Sequence, residues 1–339
     1  MNSLTRFAAV TVVASIIAAC GAPPQTPAVD QNEAFAAYAV DLIDRFLDRN
    51  PEWAIYSGRY DNAGELTVPD AERRAADLAW LDAELVRLGE FDPAALDASN
   101  RTDYELIRNE LEGSRWSMLE FKGGEWMPSQ YNVAGPIALL LNTDYAPLDE
   151  RLRAVLARLE RVPAYYEAAR ANVKDPTPEH TALAVLQANG TLSVLGDELL
   201  ARVESSGLGD DEKADFARRV AGARDAVNGW VAWLETLEPT RSFRIGEALY
   251  EQKFKYDIQS TYSARGLYER ALEEKAKLHA TMDEITVELW PKYFPDTAMP
   301  DDRLERIGQL IDHLAARHVE RDAFFGEIQR QIPELAAFV

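Results

Sequence analysis

Only one cysteine, Cys20, occurs in 339 residues, which excludes an internal disulfide framework and any Cys-rich zinc module. Histidine is almost as scarce: His180, His279, His313 and His318 complete the set, and no His-Glu-x-x-His pattern is present. The patterns Gly-x-Ser-x-Gly, Ser-x-x-Lys and Gly-x-Gly-x-x-Gly are missing, as is a phosphate-cradling Gly-Lys-Ser/Thr loop, so neither a serine nucleophile nor a nucleotide site has support. Positive charge is in short supply, with 36 Lys and Arg against 57 Asp and Glu, a formal net charge of −21. A chain this acidic repels phosphate backbones and anionic lipid, which excludes nucleic acid as a general partner. No apolar run reaches the roughly 20 residues that a spanning helix needs.

Apolar side chains, at 47% of residues, are ample to bury a core and exclude a disordered chain. The N-terminus reads as an address: Arg6 is followed by the apolar stretch Phe7 to Ala19, closing as Ile17-Ala18-Ala19-Cys20. That pattern matches the bacterial lipobox, in which the Cys thiol takes a diacylglycerol and the new amino group is acylated after cleavage. Residues 1–19 are therefore expected to be a lipoprotein signal peptide, and residues 20–31 a lipidated Cys20 with a Pro-rich, flexible tether. An ordinary secretory signal cut near Ala19 would instead leave Cys20 as a free thiol. Several acyl chains give stable anchoring where one is marginal, so the expected partner is the lipid bilayer. Gly21 after the Cys resembles the outer-membrane pattern, which places the protein in the bacterial cell envelope, facing the periplasm.

From residue 32 to 339 the apolar period is helical almost throughout and predicts an all-α, irregular multi-helix domain of about ten helices with little or no sheet. Leu148, Leu152, Val155, Leu159 and Val162 make one stripe, with Pro163 a kink or a break. Phe216, Val220, Ala223, Val227, Trp230 and Leu234 make another. Thr177 and Ser263 read as N-caps. Weak strand alternation is confined to Tyr131-Asn132-Val133 and Ser242-Phe243-Arg244. Pro333-Glu334 reads as a new helix start, with Leu335, Phe338 and Val339 beginning an apolar stripe and no cap after it. The expectation is a polypeptide shorter than its folding unit.

Candidate chemistry is thin. His313 and His318, five apart, point some 140° away from one another on a helix and do not chelate one ion together, given about 100° per residue. His279 and Asp283 share a helix face beside Lys275 and Lys277, which reads as a solvated surface. The runs Asp210-Asp211-Glu212 and Asp301-Asp302 read as helix starts. No metal ligand and no catalytic residue is assigned. The Gly/Pro-bounded segment Trp126 to Pro136 interleaves aromatic and polar groups, and Trp126, Tyr131 and Asn132 are the substrate-cleft candidates.

Three segments carry a resemblance. The first is Asn50-Pro51-Glu52-Trp53-Ala54-Ile55-Tyr56-Ser57-Gly58-Arg59-Tyr60-Asp61. The second runs from Pro147 to Val173 and contains Leu156-Ala157-Arg158-Leu159-Glu160-Arg161-Val162-Pro163, then Ala169-Arg170-Ala171-Asn172. The third is Ile245-Gly246-Glu247-Ala248-Leu249-Tyr250-Glu251-Gln252-Lys253-Phe254. Together they resemble the N-terminal half of the bacterial envelope family called domain of unknown function 885, whose members are similar to gluzincin-type zinc metallopeptidases. The resemblance implies a mostly helical fold and, in full-length relatives, a zinc ion held by a His-Glu-x-x-Pro-Gly-His helix in the C-terminal half. Nothing here matches that helix, so no catalytic residue is carried over and no cofactor is expected in this chain. The expected function is the N-terminal helical portion of an envelope lipoprotein resembling zinc-dependent peptidases, inactive alone, with a peptide as the substrate. The alternative is a complete, non-catalytic helical lipoprotein that binds a peptide or protein partner.

Overall fold

The computed structural model describes residues 30–338; the signal, Cys20, nearly all of the tether, and Val339 lie outside the described residues. Every regular element among the described residues is helical, as the sequence period requires, and neither weak strand candidate forms a strand. Two compact units divide at Arg244 and Ile245.

The first unit opens with α1 (Gln31–Arg49), α2 (Pro51–Tyr56), α3 (Ala71–Leu88) and α4 (Ala98–Trp116). Asp30, Asp70 and Asp97 cap α1, α3 and α4 by accepting a first-turn N–H. Phe35, Tyr38, Leu42, Leu81, Leu88, Tyr104 and Leu111 form a core shared by α1, α3 and α4. Next come the short α5 (Gly123–Trp126) and then α6 (Ala134–Asn142), α7 (Leu148–Asn172), α8 (Pro178–Val194), α9 (Asp197–Glu204) and α10 (Asp210–Glu235).

The larger core is organised on α7 and α10. Leu152, Val155, Leu159, Val162, Tyr166 and Ala169 repeat at alternating spacings of three and four, and so do Phe216, Val220, Ala223, Val227, Trp230 and Leu234. That 3.5-residue repeat is the seam of two helices packed along their length. Each of these large side chains is worth about 1.5–3 kcal/mol on burial. Pro163 does not end α7: the helix runs through it. Val162 and Tyr166, on either side, are almost wholly buried, and their packing outweighs the one lost backbone bond. Thr177 caps α8 as expected, its hydroxyl accepting from His180 N at 3.2 Å. The α10 cap is one residue earlier than the Asp210 expectation, at Gly209, whose N–H donates to Glu212 Oε2 at 3.1 Å.

The second unit holds α11 (Glu247–Ile258), α12 (Ala264–Tyr293), α13 (Arg303–Ala315) and α14 (Phe324–Phe338). Ser263 caps α12, and α12 packs along α13 around Trp290, Ile307 and Leu310. The Pro333 helix start is a correction: α14 runs unbroken through Pro333 from Phe324. Apolar side chains are widely exposed in this unit, including Leu278 at 61%, Phe325 at 77%, Leu335 at 64% and Phe338 at 90%.

Candidate functional site

The distinctive backbone of the first unit lies between α4 and α6. Where α4 ends, the chain widens into a π-helical turn over Ser117–Phe121, and Lys122 N donates to Ser117 O at 2.8 Å, five residues back. Such turns are rare and concentrate at functional sites. Lys122 follows in the left-handed region at φ 51°, a conformation costly for a residue with a Cβ. Gly123 and Gly124 come next, and any larger residue at either would push a neighbouring side chain aside. A methyl group on Gly123 would lie 2.6 Å from Met127 Cε, and one on Gly124 2.6 Å from the Tyr131 hydroxyl.

This segment is held by backbone bonds to the connection after α7. Lys174 N and Asp175 N both donate to Glu125 O, at 2.8 and 3.2 Å, and Thr177 N donates to Trp126 O at 3.2 Å. The result is a cleft of about 360 Å³. Its lining includes Arg74 and Asp77 of α3, Lys122 and Glu125 after the π-helical turn, and Tyr131 and Lys174. Its volume lies at the lower end of small-molecule sites, which run from about 300 to 1,000 Å³.

The polar groups are partly committed. Asp77 Oδ1 accepts from Arg49 Nη2 at 2.9 Å and from Arg73 Nε at 2.8 Å. Glu125 Oε1 accepts from Lys174 Nζ at 2.7 Å. Asn172 Nδ2 donates to Pro69 O at 2.6 Å, and Asn172 Oδ1 accepts from Arg74 Nη1. Tyr131 donates its hydroxyl to Gly124 O at 2.9 Å. Burial raises the Tyr131 pKa above the ordinary phenol value, with the Asn172 side chain and the Arg74 charge opposing it, so this phenol stays a neutral donor at physiological pH. Arg74 and Lys122 have no carboxylate partner among the described residues.

Of the three cleft candidates from the sequence, Tyr131 lines this cleft and the other two serve the scaffold. Trp126 is only 3% exposed; its indole N–H donates to Phe121 O at 2.9 Å, and the Arg241 guanidinium lies 4.8 Å over its ring. Asn132 Oδ1 accepts from Ala134 N at 2.7 Å, starting α6, and from Thr191 Oγ1 at 3.2 Å. Sequence reasoning missed Arg74, Lys122 and Lys174. The Gly123-Gly124 pair marked the segment, but nothing in sequence spacing connects it to α3.

The histidines do not fit a zinc site. His180 Nδ1 sits 2.7 Å from Thr177 Oγ1 with its ring edge-on to Trp126, and His313 packs against Tyr293 and Phe294. Asp283 pairs with Arg306 across α12 and α13 rather than with His279, and the hydrogen bonds and charge of this guanidinium hold its carboxyl below the usual range against the opposing effect of desolvation. No three His, Cys, Asp or Glu side chains are placed to hold a metal ion among the described residues, so no step through zinc is derived. No helix among them is long and apolar enough to cross a membrane.

Two of the segments that carried the resemblance meet in the core. Arg158 Nη1 donates to Glu52 Oε1 at 3.2 Å and Arg158 Nε to Ala63 O at 2.6 Å. A search of curated proteins finds no match. Among solved structures, one described as a candidate lipoprotein of unknown function from Shewanella oneidensis is similar, with 47% identity and a TM-score of 0.83. The match covers 90% of this chain and 57% of that chain, so the present sequence spans little more than half the length of its structural relative. The family model described as bacterial protein of unknown function (DUF885) matches residues 51–339, from α2 to the last residue of the sequence, and the chain belongs to that family.

Proposed function

We propose that this chain is the N-terminal helical portion of an envelope lipoprotein whose longer form is a zinc-dependent peptidase, and that this portion seats the metal-holding portion without performing the reaction. The observation that carries the reading is the apolar surface of the second unit. Leu278, Phe325, Leu335 and Phe338 are more than half exposed on helices whose opposite sides are charged. Exposed apolar surface on this scale marks an interface. The occupant is the part of the longer relative that this chain does not cover, since the Shewanella oneidensis chain extends well beyond the matched 57%. The lipoprotein assignment draws on that relative's description and on the lipobox ending at Cys20.

The test combines the full chain with the uncovered portion of the Shewanella oneidensis protein, made as a separate polypeptide. Alone, the chain is expected to bind a hydrophobic dye, to associate in sedimentation, and to leave a general peptide substrate intact. Adding the second polypeptide with zinc should quench the dye signal, yield a one-to-one complex and start hydrolysis. A dye-free monomer that ignores the second polypeptide overturns the reading. The cleft favours a second reading, a module that binds a peptide without cleaving it, and such a monomer that still bound peptide would support it.

A further inference from the structure

We infer that the cleft between α3, the Ser117–Phe121 turn and the end of α7 is a binding site for a carboxylate group, of the kind carried by the C-terminal residue of a peptide. The inference stands on the cleft alone and does not depend on whether a longer form is a peptidase. Arg74 and Lys122 line the cleft without a carboxylate partner, whereas Asp77 is held by Arg49 and Arg73 and Glu125 by Lys174. The local balance is therefore positive on a chain whose overall charge is −21.

The arrangement prefers a carboxylate to a phosphate. The guanidinium of Arg74 is fixed at one nitrogen by Pro69 O at 3.0 Å and by Asn172 Oδ1, which orients the rest of its planar donor set. The nearby carboxylates of Asp77 and Glu125 tolerate one added negative charge better than two. Gln130 and Ser117 add an amide and a hydroxyl to the lining, suited to the peptide group next to a terminal carboxylate. The left-handed Lys122 is an exposed residue that lines the same cleft, so its strained backbone brings a basic residue to the site.

Calorimetry of the full chain in detergent tests this with four probes: trialanine, trialanine amide, succinate and inorganic phosphate. Trialanine is expected to bind about tenfold more tightly than its amide, the effect of one charge-assisted pair in a partly open site. Weaker succinate binding at the same site, measured by competition, separates a peptide terminus from a small free acid as the source. Lys122→Asn and Arg74→Gln should each weaken trialanine by a similar factor. Asn tolerates the left-handed backbone, so Lys122→Asn keeps the fold, and an unchanged melting curve verifies it. Equal binding of acid and amide, no binding of either carboxylate, tighter binding of phosphate, or an unaltered affinity in Lys122→Asn would each overturn the assignment.

Discussion

Arg158 shows what a single side chain does in the first unit. It is wholly buried, yet only its Nε and Nη1 have protein acceptors, while Nη2 is enclosed without one. Burial draws its pKa down and the Glu52 carboxylate resists that shift. Glu52 in turn accepts from Thr67 N at 3.1 Å and Thr67 Oγ1 at 2.8 Å, so the ion pair ties α2, the loop after it and α7 together. Removing one partner of a buried pair strands the other. Arg158→Ala is therefore expected to lower stability by about 3–5 kcal/mol in urea unfolding, and Arg158→Met, which fills the space, by clearly less than Arg158→Ala. Sequence reading placed both residues in segments that carried the family resemblance but did not pair them. They stand 106 residues apart, and no local pattern carries contacts across that distance.

Among the elements, the turn from α4 into α5 and the pair α12–α13 make separate predictions. Lys122→Gly removes the Cβ that makes the left-handed region costly, and should raise stability by about 1 kcal/mol by thermal unfolding. In α12–α13, the Arg306 guanidinium lowers the Asp283 pKa below its unfolded value. A lowered carboxylate pKa gives stability that is present above the unfolded pKa and lost as pH falls through the folded one. Asp283→Asn should thus lower the melting temperature at neutral pH, where the contribution is fully present, and flatten the fall in stability below the usual carboxylate range, read as the acid midpoint of helical circular dichroism, with wild type and variant converging at the lowest pH. Much of this scale was legible. The stripes of α7 and α10 and the caps Thr177 and Ser263 followed from spacing and side-chain chemistry. At Pro163 the choice between a kink and a break was set by the packing of Val162 and Tyr166, which spacing does not reveal, whereas the start expected at Pro333 did not form and no buried contact of α14 explains it. The π-helical turn had no sequence sign, since one extra residue per turn leaves composition unchanged.

At the scale of the whole molecule, the all-α class was fixed by the near-universal helical period, whereas the division at Arg244 was not visible, because the charged segment around it resembles the solvated faces elsewhere. The cleft was only half legible for a related reason: Tyr131 lay in a segment that looked irregular, but Arg74 lay on an ordinary helix. One contact near the division has a practical outcome. Arg241 lies over the Trp126 ring and 3.6 Å from Asp175 Oδ2, so the strand of chain leaving α10 is clasped to the body of the first unit. Three residues later Arg244 is exposed. Trypsin needs several residues of freely extended backbone, which the clasp denies at one arginine and the next offers. A brief digest followed by mass spectrometry should therefore cut after Arg244 well before Arg241, and Trp126→Leu should erase that order, making the indole a latch that decides where the molecule is trimmed.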